Sequence, residues 1–334
     1  MNSPFSFVCM SDAGFVRWLE LCMAAIVRTH PGARILVFDL SAASSDAVRE
    51  LVGQTPGAEH VDWDESRWPS PAWIDTSDFA FYWPDYGWRD EVKYWSRRLR
   101  ARVTGRVKAG WMTDKASFVA QIRRATRRVA QKPYILRRAL ELAKKDLAFI
   151  DADAMVLKPL GEVFRHSFDL GVTVEQPEDV YIGPEPATMP WRPVLPVRLL
   201  NTGVVFIRDT AGAQALLDDW IEAMARVHHA TAEQLALAHM LLAEIPDLVC
   251  AEHTVRPFPA PPAHKRGDVL VLPMREYNFV HVPLDAQRMP DVHVAHFAGS
   301  RKRRREDVEA LIRRTAGASA DAYLTEGTKD RRVG

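Results

Sequence analysis

Asp151 and Asp153 stand one residue apart directly after the apolar run DLAFI (Asp146 to Ile150), and His296 sits within a second apolar run, His293 to Phe297. Carboxylate oxygens are hard donors suited to Mg²⁺ or Mn²⁺, and two of them at the end of a strand can turn toward one cation and share it with phosphate. A histidine leaving a strand offers a neutral imidazole nitrogen. The residues that follow it, Ala298-Gly299-Ser300-Arg301-Lys302, add a glycine whose backbone N–H can approach phosphate closely and a lysine point charge. Both groups also have plainer readings, since an Asp pair often caps a turn and a histidine before basic residues often ends in a solvated loop. A phosphatase built on an Asp-x-Asp strand fits poorly, because Ala154-Met155-Val156 follows where that chemistry wants Gly-Thr, and the pair lies mid-chain.

These side chains need a scaffold that brings strand ends together. Phe5 to Met10 reads as a buried strand, Phe15 to Thr29 as a helix stopped by Pro31-Gly32, Arg34 to Phe38 as a second strand, and Val48, Leu51 and Val52 as one face of a helix that Ser45 could cap. Strand, helix, strand, helix opens a parallel sheet, and open α/β sheets place ligands at the carboxyl ends of their strands. Pro133 starts a helix ahead of DLAFI. Further strands are predicted at Leu170 to Val174, Gly203 to Ile207, Val269 to Leu272 and His293 to Phe297, and helices at about 212–227 and 232–244. The Pro-rich stretch Pro177 to Pro196 reads as a mobile lid, and a short helix is expected near Val308 to Arg313.

The fold class expected is therefore α/β, one large domain over 1–302 with an insertion at about 64–131, followed by a partly disordered basic tail, 303–334. The insertion is crowded with Trp68, Trp73, Trp83 and Trp88 and continues into a basic stretch from Arg97 to Arg128 opposed by few acids. Tryptophans among Asp and Pro suit either core or a sugar-stacking surface. Formal net charge is only +1, so no global field calls for nucleic acid. Cys9, Cys22 and Cys250 form neither a disulfide framework nor a metal motif, and no segment reads as a signal peptide or a membrane span. A cytoplasmic protein is expected.

Taken in order, FIDADAMVLKPL, NTGVVFI, EQLAL, LPMREYN and HFAGSRK resemble the nucleotide-sugar glycosyltransferases of the GT-A type, nearest the glycogenin and bacterial galactosyltransferase branch, over roughly Phe5 to Lys302. The resemblance implies a single GT-A (Rossmann-like) domain with a mixed central sheet. It implies that Asp151, Asp153 and His296 bind Mn²⁺ or Mg²⁺ holding the donor diphosphate, which Gly299 and Lys302 also contact. Met10-Ser11-Asp12 resembles the uridine-contacting turn, Lys132 a basic position facing the donor, Asn201-Thr202-Gly203 the Asn-x-Gly turn beside the donor sugar, and Glu233-Gln234 the Asp-Gln pair near the anomeric carbon. Ala238 and Arg303-Arg304 depart from the family pattern, where Asn and Pro-Trp are common.

The activity so implied is metal-dependent transfer of a sugar from a nucleotide sugar, a UDP-sugar, to a hydroxyl acceptor with retention, Asp153, Gln234 and Lys302 carrying catalysis. The acceptor is a glycan, a lipid-linked glycan or a protein. If the basic patches converge, the enzyme sits peripherally at the inner face of an anionic membrane. A nucleotidyltransferase is an alternative, but Ser11-Asp12-Ala13-Gly14 lacks the Gly-rich phosphate loop that class needs. An anionic-surface or nucleic-acid-binding protein is another, and leaves the ordered motifs without a purpose.

Overall fold

The computed structural model describes residues 3–41, 46–78, 115–175, 200–229, 231–258, 267–280 and 291–297. β1 (Phe5–Ser11) is buried almost throughout, as its apolar run requires. The Asp12 carboxylate accepts the Gly14 N–H at 2.6 Å and caps a 3₁₀ turn, Ala13–Phe15, that leads into α1 (Val16–Thr29). β2 (Ile35–Asp39), α2 (Asp46–Gln54) and β3 (Ala58–Asp62) follow, and the first three strands pair in parallel. After the short α3 (Trp73–Thr76) come α4 (Lys115–Ala130) and α5 (Lys132–Ala143). Pro133 has no N–H to continue a helix from α4, so a new helix starts there, and Lys144 ends it in the left-handed region at φ 48°.

β4 (Asp146–Ile150) joins the sheet parallel to β1 and leads into the three-residue β5 (Ala154–Val156). The remainder comprises β6 (Leu170–Val174), β7 (Leu200–Ile207), α6 (Ala211–Arg226), α7 (Ala232–Glu244), β8 (Thr254–Phe258), β9 (Gly267–Pro273), α8 (Met274–Tyr277) and β10 (Val294–His296). The sheet runs β3-β2-β1-β4-β7-β6-β9-β8, parallel in its first four strands and mixed beyond, where β7 is antiparallel to both neighbours. Alternate residues face opposite layers: Val8 and Phe149 pack under α5, α6 and α7, while Phe7, Cys9, Ala148 and Ile150 pack under α1. Among the described residues no helix is long and apolar enough to cross a membrane.

Three strands carry no strong sequence signal. β3 (AEHVD) is an edge strand with mostly part-exposed side chains, β8 holds Pro257 at the other edge, where a missing N–H is tolerated, and β5 is too short to show a period. The run His293 to Phe297 does form a strand, yet it leaves the main sheet and pairs with β5 in a separate two-stranded ribbon. Trp63 and Trp73 are buried in the core, with Trp68 stacked on Trp63 at 5.0 Å. The stretch Pro177 to Pro196, Trp83, Trp88, Arg97 to Arg106, the helix near Val308 and the tail 303–334 lie outside the described residues.

At the end of α1, His30 locks this layer to the segment before Val163. Its Nε2 accepts the Leu160 N–H at 2.9 Å, its Nδ1 lies 2.9 Å from the Thr29 hydroxyl, and the rings of Phe5 and Phe7 meet it edge-on. Burial lowers its pKa to about 4, because a charged ring would be desolvated and would turn a second N–H against Leu160. The unfolded chain takes up this proton near 6.5 and the folded one only near 4, so His30 contributes stability above pH 6.5 that is lost as pH falls toward 4. Melting temperatures of wild type and His30→Gln over that window should show the wild type falling more steeply; parallel curves would contradict it.

Candidate metal centre and donor site

β4 delivers Asp151 to the carboxyl edge of the sheet, where its N–H bonds to the Gly203 carbonyl on neighbouring β7 at 2.8 Å. A tight turn follows, with Ala154 N–H to Asp151 O at 2.9 Å, and β5 then pairs antiparallel with β10 so that His296 lies opposite Ala154. Phe297 N–H closes the ribbon on the Asp153 carbonyl at 2.9 Å. The consequence is that Asp151, Asp153 and His296 each present one ligand atom within 4.8 Å of the others. His296 Nε2 lies 3.4 Å from Asp153 Oδ1 and 3.8 Å from Asp151 Oδ2, with the imidazole 4% exposed and the Asp151 side chain 21% exposed. Two carboxylates and an imidazole nitrogen, converging and open on one side, are a donor set that fits a small divalent cation sharing oxygen ligands with phosphate.

Lys132, in the first turn of α5, is 2% exposed yet carries a full set of partners. Its Nζ donates to the Thr202 carbonyl at 2.8 Å, to Asp151 Oδ1 at 3.2 Å and to the Thr202 hydroxyl at 3.3 Å, and lies 4.7 Å over the Phe149 ring. Burying an ammonium costs several kcal/mol unless it is paired and hydrogen-bonded, so this environment fixes Lys132 as a countercharge to Asp151. The Thr202 hydroxyl lies 3.4 Å from Glu233 Oε1, a buried carboxyl whose pKa burial raises while nearby Lys132 pulls it back. Gln234 follows it on α7, half-buried.

Asn201 and Gly203 meet the ring of His296. Asn201 Oδ1 accepts the Gly203 N–H at 2.8 Å and Asn278 Nδ2 at 3.1 Å, while Asn278 Oδ1 lies 2.9 Å from His296 Nδ1. Gly203 has no side chain because the imidazole occupies that space: a Cβ there would lie 2.5 Å from His296 Nδ1 and closer still to Cε1. Asn278 is fully buried and was not among the expected site residues. Only its position at the end of LPMREYN, shortly after an apolar strand, could have drawn attention to it.

At the end of β1, Met10 is half-buried, Ser11 is buried, and the Asp12 carboxylate, besides capping its turn, pairs with Arg128 of α4. Beyond it a cleft of about 1060 Å³ opens at the carboxyl ends of β2 and β3, walled by Asp39, Asp62, Trp68, Arg124 and Arg128. Arg127 pairs with Asp75, and Arg123 donates to the Ser77 carbonyl, so this helix is less polarised in space than along the chain. Exposed pairs of this kind contribute about 0–1 kcal/mol each. Gly299 and Lys302 lie outside the described residues.

The central strand ends of this Rossmann-like mixed sheet gather two carboxylates, a histidine and a buried lysine, a cluster that could hold a divalent cation. The family model of the nucleotide-diphospho-sugar transferases matches residues 95–308, more than half of the chain, and the protein belongs to that family of glycosyltransferases. It shares 12% identity and a TM-score of 0.43 with the galactosyltransferase LgtC, over 99% of this chain and 98% of that one. It shares 12% and 0.41 with mouse xyloside xylosyltransferase 1, over 89% and 97%, and 11% and 0.42 with the glycosyltransferase GlyE of Streptococcus pneumoniae, over 89% and 55%. None of the curated proteins matches the chain.

Gly203→Ala should displace the His296 ring, an overpacking of about 1–3 kcal/mol. Calorimetric Mn²⁺ titration should show weakened binding with only a modest drop in melting temperature. Unchanged Mn²⁺ affinity would mean that the ring does not need this seat.

Proposed function

We propose that the enzyme transfers a sugar from a UDP-sugar to a hydroxyl of a glycan, lipid-linked or protein acceptor, with retention at the anomeric carbon. The observation that carries this reading is the convergence of Asp151, Asp153 and His296 within 4.8 Å beside the buried Lys132. A Mn²⁺ or Mg²⁺ ion held by those three would act as Lewis acid, offsetting charge on the departing diphosphate. Lys132 keeps the Asp151 carboxylate aimed, since its ammonium is pinned from the other side by the Thr202 carbonyl. Lys302 would add a positive charge to the same diphosphate and Gly299 a backbone N–H, an electrostatic contribution largest when the sugar bond is breaking.

The nucleoside would extend from the metal centre along the strand ends. In the parallel half, Ser11 lies beside Asp39 in register, and adjacent strands are about 4.8 Å apart, so the turn Met10-Ser11-Asp12 and the cleft beyond it lie one to two strand spacings from Asp151. That reach suits a ribose and base. Asn201 and Gln234 would border the donor sugar, Gln234 as a polar group beside the reacting carbon. Retention is what the resemblance to the GT-A branch implies, and Glu233, buried against Thr202, does not face solvent as a base would. A lipid-linked acceptor would bring the enzyme to the cytoplasmic membrane face. The family assignment leaves the nucleotidyltransferase and anionic-surface alternatives without support.

A thermal-shift panel of UDP, GDP and CDP with and without Mn²⁺ tests the reading, since a ligand that binds only the folded state must raise the melting temperature. UDP with Mn²⁺ should shift the wild type most. Asp153→Ala should keep the fold, lose the Mn²⁺-dependent part of the shift and lose transfer. A UDP shift that ignores both Mn²⁺ and this substitution would overturn the metal assignment.

A further inference from the structure

Asn278 is a buried amide that no part of the transfer chemistry calls for, and it touches a candidate metal ligand. Its place is set by backbone register. Asn278 N–H bonds to Met274 O at 2.9 Å at the end of α8, Phe279 N–H to Val294 O at 2.8 Å, and His296 N–H to Phe279 O at 2.8 Å. The chain around residue 278 is thereby laced to β10, and the two side chains are brought together.

The amide can sit in only one way. Its Nδ2, with two protons to give, has three acceptors within reach: the Asn201 carbonyl at 3.0 Å, Asn201 Oδ1 at 3.1 Å and Thr173 Oγ1 at 3.0 Å. A backbone carbonyl has no proton to give, and Thr173 already donates its own to that same carbonyl at 3.1 Å. Reversing the amide would set oxygen against oxygen in a fully buried site, at a cost of about 1–3 kcal/mol for each group left unpaired. Asn278 Oδ1 is therefore the atom that faces His296 Nδ1 at 2.9 Å, and an acceptor there demands a donor. A neutral imidazole carries one N–H, so its Nε2 is left with a lone pair.

We propose that Asn278 is the positioning residue of the metal centre: its amide holds His296 as the Nδ1–H tautomer and so points the Nε2 lone pair at Asp151 and Asp153. The proposal rests on the reading of those three residues as cation ligands. Its force comes from the opposing pull. Two carboxylate oxygens at 3.4 and 3.8 Å from Nε2 favour a proton on that nitrogen, and a protonated nitrogen cannot ligate. Asn278 is the counterweight on the far side of the ring.

Nitrogen NMR of ¹⁵N-histidine-labelled, metal-free protein reads directly which ring nitrogen of His296 carries a proton. The expected result is a protonated Nδ1 and a bare Nε2 in the wild type, with the proton moved to Nε2 in Asn278→Leu. Mn²⁺ affinity should fall about 10–100-fold in that variant. Asn278→Asp keeps an acceptor for Nδ1–H and should retain the wild-type tautomer, at a lower melting temperature because its second oxygen meets the Asn201 oxygens where Nδ2 stood. A wild type protonated at Nε2 overturns the proposal without any variant having to fold, as does Asn278→Leu with unchanged tautomer and unchanged Mn²⁺ affinity. A wild type with the expected tautomer that takes up no Mn²⁺ instead overturns the metal reading on which the proposal stands.

Discussion

Two carboxylates crowded against one imidazole at the end of a buried strand repel each other, by about 3 kcal/mol at a separation near 5 Å and an effective dielectric of 20. Much of the described structure can be understood as what holds them there. Lys132 supplies one half of the compensation from a helix that starts anew after α4, and the Thr202 carbonyl keeps that lysine from drifting to solvent. On the proposed reading a cation would supply the other half.

The sheet divides the work between its two halves. The parallel strands β2, β1 and β4 bring a row of carboxyl ends to one edge, where Asp39, Ser11 and Asp151 lie side by side. The mixed half contributes walls: β7 presents Asn201, Thr202 and Gly203 against Asp151 and His296, and β6 sends Thr173 into the same polar cluster. Antiparallel β7 is the seam, since its Gly203 carbonyl takes the Asp151 N–H just where β4 ends. Moving β7 by one residue would turn each of these side chains to the other face.

Much of this was legible in the chain. The apolar runs at β1, β2, β4, β6 and β9 announced themselves, as did the strand-end position of Asp151 and Asp153 and the histidine that joins them. The helix Ala232–Glu244 was readable to its ends. What escaped has physical reasons. β3 and β8 are edge strands whose exposed faces dilute the alternation, and β5 exists only because β10 pairs with it across the fold. The Trp/Arg-rich stretch looked strongly polarised along the chain, yet Asp12, Asp75 and the Ser77 carbonyl reach Arg128, Arg127 and Arg123 from elsewhere. Asn278 was hidden most completely, because a single amide carries no period and its meaning comes entirely from what surrounds it.

The ribbon of β5 and β10 joins Asp153 to His296 across nearly half of the chain. Closing so long a loop costs entropy that grows only slowly with length, and β10 pairs through just three residues. During synthesis the two aspartates emerge well before their histidine, and a nascent chain carrying the first half of the sheet holds an incomplete set of ligands. On the proposed reading, a cation would find its full set of ligands only once the segment after Val292 has docked.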